Sequence, residues 1–249
     1  GDIYHPDTYK QLRALQKQLI DTPVDTLIKA IILGRLHGHS PSFFSVWTFN
    51  VISLSAEQIK AQSAKRGAKP TFRDVRPSIL KKAQTILRDT IPTVGESNII
   101  EAPAQKLPLE SGTVDLVVTS PPFLGVVNYI DDNWLRFWFL GYDREKLRNI
   151  LVQTNDLDEY KTFILATMKE MYRVLKSGKR CIIEVGDVNH KSKKLLLDHT
   201  IVELAGEAGF VVEKILINHI DAPKISRAFG RPGREVGTKT NRCVILKKI

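Results

Sequence analysis

The sequence predicts an α/β fold behind an N-terminal helical region. Three observations carry this expectation. Before residue 90, apolar residues recur at steps of three and four, as on a buried helix face: Leu12, Leu15, Leu19, then Leu27, Ile28, Ile31 and Ile32. After residue 97, short β-rich runs alternate with longer amphipathic ones, the pattern of a mostly parallel sheet with crossover helices. The last two strand-like runs have no helical pattern between them, so they should form an antiparallel hairpin at the sheet edge.

The elements follow in order. Asp21-Thr22-Pro23 splits residues 6–38 into two helices, with the proline near the start of the second and Gly34 and Gly38 closing the pair. "HSPSFFSVWTFNVISLS", 39–55, is apolar and aromatic without a helical period and reads as an ordered loop packed on the body. Ser55 and Gln58 have capping-box spacing, so a helix starts there. "KRGAKPTFRDV", 65–75, is a basic connection, and 76–90 is a helix reaching Asp89. "SNIIEA", 97–102, reads as a short strand. "VDLVVTS", 114–120, reads as an apolar strand of the type buried in a parallel sheet. Residues 131–140 are an aromatic-rich helix, and 157–176 an amphipathic one ending near Lys176-Ser177-Gly178. "KRCIIEVGD", 179–187, is a strand, 193–209 a helix ending at Gly209, and 210–218 and 240–248 the final strands. This divides the chain into a helical region with a basic linker, 1–92, and an α/β region, 93–249.

The 249 residues are 43% hydrophobic and 26% charged, an ordinary globular profile. No apolar run is long enough to span a bilayer, and "GDIYHPDTYK" has no signal-peptide pattern. Cys181 and Cys243 sit in apolar strand-like runs without metal-ligand spacing and read as buried free thiols in a reducing cytoplasm; no metal site is expected. The net charge is +10, which suggests a polyanionic partner. The basic residues cluster: nine Lys and Arg lie in 60–88, and a second group in "PKISRAFGRPGREVGTKTNRCVILKK".

The chemistry centres on "VDLVVTSPPF". Thr119 to Phe123 lie at the carboxyl end of a strand, where open α/β sheets bind ligands. Pro121 and Pro122 fix their own φ and hold their predecessors extended. They lack N–H groups, so this turn offers acceptors rather than donors. A rigid hydroxyl and carbonyls suit an exocyclic amino group, and the adjacent aromatic suits a flat ring, as for a base flipped out of a duplex.

"TSPPF" after "VDLVV" resembles the catalytic motif of the DNA amino-methyltransferases, which use S-adenosylmethionine to methylate exocyclic amines of bases. The segments "LPLESGTVDLVVTSPPF", "NYIDDNWLRFWFLG", "EMYRVLKSGKRCIIEVGDV" and "GTKTNRCVILKK" resemble the same group in the same order, covering most of 97–249. "IYHPDTYKQL", "LHGHS" and "FRDVR" do so more weakly. The resemblance implies a Rossmann-like methyltransferase sheet, and the Ser-Pro-Pro form is similar to cytosine-N4 enzymes before adenine-N6 ones. It implies that Ser120 and the Pro121 carbonyl take the amino protons, with Pro122 stiffening the turn and Phe123 stacking on the base. Thr119, Asn128, Tyr129 and Asp131 would line the substrate loop, although helix capping explains the last three equally well. Glu184 and Asp187 end the next strand and are weaker candidates for cofactor contacts. Arg227, Arg231, Arg234, Lys239 and Arg242 would track DNA phosphates from a glycine-rich loop. The basic stretch 65–76 is a second DNA surface. Trp134, Phe137 and Trp138 read as core.

The glycine-rich cofactor turn of that family is not recognisable. "LGRLHGHS" follows a helix, and "FGRPGREVG" lies between the last two strands. The cofactor half is therefore expected on a second polypeptide or in a segment preceding Gly1, unless the chain is a non-catalytic DNA-binding subunit. An RNA amino-methyltransferase is the other alternative. A cytoplasmic, nucleoid-associated prokaryotic protein of a restriction-modification setting is what the resemblance implies.

Overall fold

The computed structural model describes residues 3–38, 40–46, 48, 54–88, 95–125, 128–148, 150–190, 193–219 and 240–249. Contacts divide the chain into two compact units, Gly1–Glu96 with Tyr129–Leu151, and Ser97–Asn128 with Val152–Ile249. Among the described residues no helix is long and apolar enough to cross a membrane.

The first unit is helical. α1 (Pro6–Gln18) and α2 (Pro23–Leu33) each begin with proline in the first turn, where its missing N–H is harmless. Gly34 caps α2. α3 (Ala56–Lys65) starts with the expected capping box: Gln58 N–H donates to Ser55 Oγ, and the Gln58 side chain accepts from Ser55 N–H. α4 (Val75–Leu87) is capped by Asp74. Phe44 and Val46, in the expected packed loop, are buried with Leu12, Ile31 and Ile32.

α5 (Tyr129–Asp132), α6 (Trp134–Leu140) and α7 (Arg144–Arg148) belong to this unit, so a single division at residue 92 does not describe the chain. The reason is aromatic packing. Trp138 stacks on Tyr9 and Tyr4, with centroids 5.7 and 6.2 Å apart, and Leu135 and Phe139 are buried in the same core. Trp134 Nε1 donates to the Leu54 carbonyl at 3.1 Å. Trp134 and Trp138 thus pack against the core, as expected, whereas Phe137 lies outside it and meets the exposed Tyr142 edge-on.

The second unit is an open, Rossmann-like α/β sheet. β1 (Val114–Thr119) pairs in parallel with β2 (Leu175–His190). β4 (Phe210–His219) and β5 (Thr240–Lys248) form the expected antiparallel pair. The order β1-β2-β5-β4 puts β5 inside, antiparallel to both neighbours, with β4 at the edge. β1, β2 and β4 therefore run one way and β5 the other. α8 (Leu157–Val174) and α9 (Leu197–Ala205) cover one face, where Ile164, Met168, Cys181, Ile183, Ile201, Val244 and Leu246 form the core.

Four expectations change. β2 extends the expected strand 179–187 at both ends, so Lys176-Ser177-Gly178 lie in it rather than closing α8, and Glu184 and Asp187 lie inside it rather than at its end. Residues 97–102 form no strand; Ile99 is 98% exposed, and no strand among the described residues pairs with this segment. β1 is not buried on both faces: Val117 packs against the core under α8 and α9, while Leu116 and Val118, on the opposite face, are 52% and 67% exposed. Residues 193–196 are β3 (Lys193–Leu196), which pairs antiparallel with the far end of β2, so α9 begins four residues later than its apolar pattern suggests. Tertiary pairing of the long β2 outweighs local helical preference there. Cys181 is buried, which pushes its thiol up to about 12, whereas Cys243 is only partly buried.

The approach to β1 is fixed by an ion pair. Glu170 pairs with Arg173 at 2.7 Å and accepts from Leu107 N–H. Arg173 also donates to the carbonyls of Leu107 and Leu109 and to Ser111 Oγ. The Arg173 hydrogen bond holds the Glu170 carboxyl at about 2, below the ordinary 4.5. A carboxyl depressed by folding stabilises the fold above its unfolded pKa, and that contribution fades as pH falls through the folded value. Unfolding measured between pH 5 and about 2 should show this loss, and Glu170→Gln should flatten it. An unchanged pH profile in that variant would refute the clamp.

Candidate active site

Thr119 is the last paired residue of β1, level with Ile183 of β2. Ser120 thus leaves the sheet at the carboxyl end of β1, level with Glu184, which lies inside β2 because that strand runs on to His190. Ser120 is exposed, and among the described residues its hydroxyl makes no hydrogen bond. Pro121 is buried. Leu124, 2% exposed, anchors the turn in the core, while Phe123 is half-buried against that core. Thr119 in the sheet and the buried Pro121 and Leu124 fix the backbone that carries the Ser120 hydroxyl.

Gly125 ends the turn at φ +64°, a region that L side chains avoid. A Cβ there would lie 2.5 Å from Asn155 Oδ1. Gly125→Ala is expected to destabilise the fold by about 1–2 kcal/mol through its left-handed backbone alone. Thermal unfolding checks this, and wild-type stability would refute it. Asn155 escaped the sequence reading because only the folded chain brings it to Gly125.

The other candidates separate. Glu184 has no ion pair among the described residues and lies across from Cys243. Burial, then the Glu184 charge, pushes the Cys243 thiol up. Asp187 is 8% exposed and already engaged: its Oδ1 accepts from the Thr240 hydroxyl at 3.0 Å, and its Oδ2 pairs with Lys194 at 2.8 Å. Burial pushes the Asp187 carboxyl up, but hydrogen bonds from Lys194 and Thr240 outweigh it and the net direction is downward. Arg242 does not face solvent as a phosphate contact should. It is 14% exposed, its Nη1 pairs with buried Asp198 at 2.8 Å, and its Nε donates to Thr240 Oγ1. Neither Asp198 nor Thr240 carries a sequence signal for this role.

Asn128 is exposed. Tyr129 and Asp131 fall in the helical unit. Asp131 pairs with Arg148 at 2.5 Å, and the Tyr129 carbonyl accepts from Asn133. Arg227, Arg231, Arg234 and Lys239 lie outside the described residues, as does "FGRPGREVG". The glycines of "LGRLHGHS" are explained by packing, since a Cβ on Gly38 would strike the Phe43 ring at 2.5 Å.

Residues 114–232 match the family model described as DNA methylase. The matched stretch begins with β1 and includes the turn. Among solved structures, a protein from Thermus thermophilus assigned as a DNA modification methylase, in complex with S-adenosyl-L-methionine, is 21% identical with a TM-score of 0.36, covering 57% of this chain and 48% of its own. The PvuII cytosine-N4-specific DNA methyltransferase is 16% identical with a TM-score of 0.38, covering 57% and 45%. A SAM-dependent methyltransferase from Methanosarcina mazei is 11% identical with a TM-score of 0.33, covering 69% and 77%. The chain spans about half the length of the two DNA enzymes. No curated protein matches it.

Proposed function

We propose that this chain is the acceptor-side half of an S-adenosylmethionine-dependent DNA amino-methyltransferase, acting on cytosine N4 before adenine N6. The observation that carries the proposal is the exposed, unbonded Ser120 hydroxyl, held at the carboxyl end of β1 by Pro121 and Leu124, inside the stretch that matches the DNA methylase model. A flipped base would place its amino group against the Ser120 hydroxyl and the Pro121 carbonyl. Both amino protons are then held in the turn, and the nitrogen lone pair points away from it. The exposed part of Phe123 stacks on the ring. The nitrogen loses a proton only after it has acquired the methyl group, so no strong base is required and orientation supplies most of the rate. The bound cofactor supplies an electrophilic methyl group.

The described residues fit the acceptor side better than the cofactor side. Among them, no glycine-rich turn follows a strand, and Asp187 is committed to Thr240 and Lys194. Glu184, level with Ser120, is the remaining acidic candidate for the cofactor. Among the described residues β1 has a neighbour on one side only, so its other edge can accept a further strand, and Leu116 and Val118 leave one of its faces uncovered. A cofactor-binding half on a second polypeptide, or on another segment of the same protein, would occupy that edge.

Transfer of a labelled methyl group to duplex DNA by the complete assembly tests the reading, with cytosine and adenine products separated afterwards. Labelled duplex is the expected result; label on RNA alone, or on neither, overturns it. Calorimetric titration of S-adenosylmethionine into this chain alone tests the half-site. Micromolar binding would show a cofactor pocket within the chain and remove the need for a second half.

A further inference from the structure

The helical unit contains a cleft of about 460 Å³ between the start of α4 and the segment 35–44. Three of its walls are cations: Arg35, Arg73 and Lys81. None pairs with a carboxylate among the described residues. The one acid in the cleft, Asp74, is already gripped by Arg76 through Nε at 2.9 Å and Nη2 at 2.7 Å. Among the described residues the cleft therefore holds three positive charges and no free negative one.

Two of these cations are set in place by the backbone. Arg73 Nη1 donates to the carbonyls of Ser40 and Phe43, and its own N–H donates to Thr8 Oγ1. Arg35 Nη1 donates to the Ser42 carbonyl, with its guanidinium 6.0 Å from the Phe43 ring centre. Each of these bonds uses one terminal nitrogen, so each guanidinium keeps further donors. Both side chains are partly buried, and burial pushes the Arg73 pKa down. A partly buried guanidinium without a counter-ion is costly, and an anion would relieve that cost. The cleft is also larger than a lone anion requires, and Pro41 and Pro77 add apolar wall.

We infer that this cleft is a phosphate-binding site, formed by Arg35, Arg73 and Lys81, that takes a nucleotide phosphate. Two planar guanidiniums and one flexible ammonium match the oxygens of a phosphate. The phosphate could belong to a DNA backbone or to a free nucleotide. The backbone source rests on the function proposed above; the site itself does not.

The test uses Arg35→Gln, Lys81→Gln and their double variant. Arg73 is left intact because it holds the 40–43 loop. Lys169→Gln, on α8 in the other unit, controls for net charge. Binding of duplex DNA is measured against salt, and binding of a deoxynucleoside monophosphate and of inorganic phosphate is measured separately. If the backbone fills the cleft, the slope of log K against log salt should flatten by about 1 in the double variant and stay unchanged in the control. Nucleotide binding lost in the double variant, with the DNA slope unchanged, would keep the site and assign it to a free nucleotide. If the wild type binds no DNA, the functional proposal is in question and the nucleotide and phosphate measurements alone decide the site. An unchanged DNA slope, together with no loss of nucleotide or phosphate binding in the variants, would overturn the inference.

Discussion

Ser120→Ala is expected to slow methyl transfer by about a hundredfold without changing the unfolding midpoint. The hydroxyl is exposed and bonded to nothing among the described residues, so its loss removes no native contact. What it removes is one of two acceptors that orient the amino nitrogen, and misplacing a reacting atom by about 1 Å can cost a hundredfold. The loss should fall on the rate at saturating DNA more than on affinity, because base contacts contribute less to binding than backbone contacts do. Phe123 needs a gentler change than alanine. It packs against the core, so Phe123→Ala would mix a stacking loss with a packing loss. Phe123→Leu keeps apolar bulk and removes the ring, which should weaken the hold on the flipped base by about 1–3 kcal/mol. Wild-type transfer by both variants, in the assembly that methylates DNA, would end the assignment of this turn.

Features decided by neighbours in sequence were legible. The Ser55–Gln58 capping box, the prolines opening α1 and α2, and the β4–β5 pairing depend on local spacing or on adjacent segments. The turn at 119–123 was legible as a strand end for the same reason; its close at Gly125 was not. The one-sided burial of β1 was not, because a continuous apolar strand does not show which of its faces another element covers: Val117 packs in the core and Leu116 and Val118 do not. The absence of a strand at 97–102 has the same origin: "SNIIEA" has strand residues, but a strand exists only when another chain segment accepts its hydrogen bonds. The membership of α5 to α7 in the helical unit depends on Tyr4 and Tyr9 meeting Trp138, far apart in sequence.

The candidate site divides along the same line. Ser120 and Glu184 could be placed together because β1 and β2 run parallel and the register brings them level, although β2 continues beyond Glu184 to His190. Asp187 and Arg242 carried the right charges for ligands, yet each is consumed by a partner on another element. Charge in a sequence marks the ability to bind; only the fold shows whether that ability is already used.

Arg242 makes the last case testable. Asp198→Ala should destabilise the α/β unit by about 3–5 kcal/mol, the usual loss when a buried ion pair keeps one member. Asp198 is 1% exposed and its Oδ1 has no partner among the described residues, so the Arg242 bond carries most of its compensation. Removing the carboxylate strands a guanidinium that is itself 14% exposed. Arg242 also bonds Thr240, which Asp187 holds from the other side, so the damage should spread along the start of β5. The double variant Asp198→Leu with Arg242→Met removes both charges together and should recover much of the lost stability, since apolar replacements of buried pairs are often neutral. Chemical denaturation of the two single variants and the double variant measures the coupling. Arg242→Gln should also leave the salt slope of DNA binding unchanged, because its charge is spent internally. A slope that flattens by about 1 in that variant, with Asp198→Ala fully stable, would return Arg242 to the phosphate-contacting role its sequence suggests.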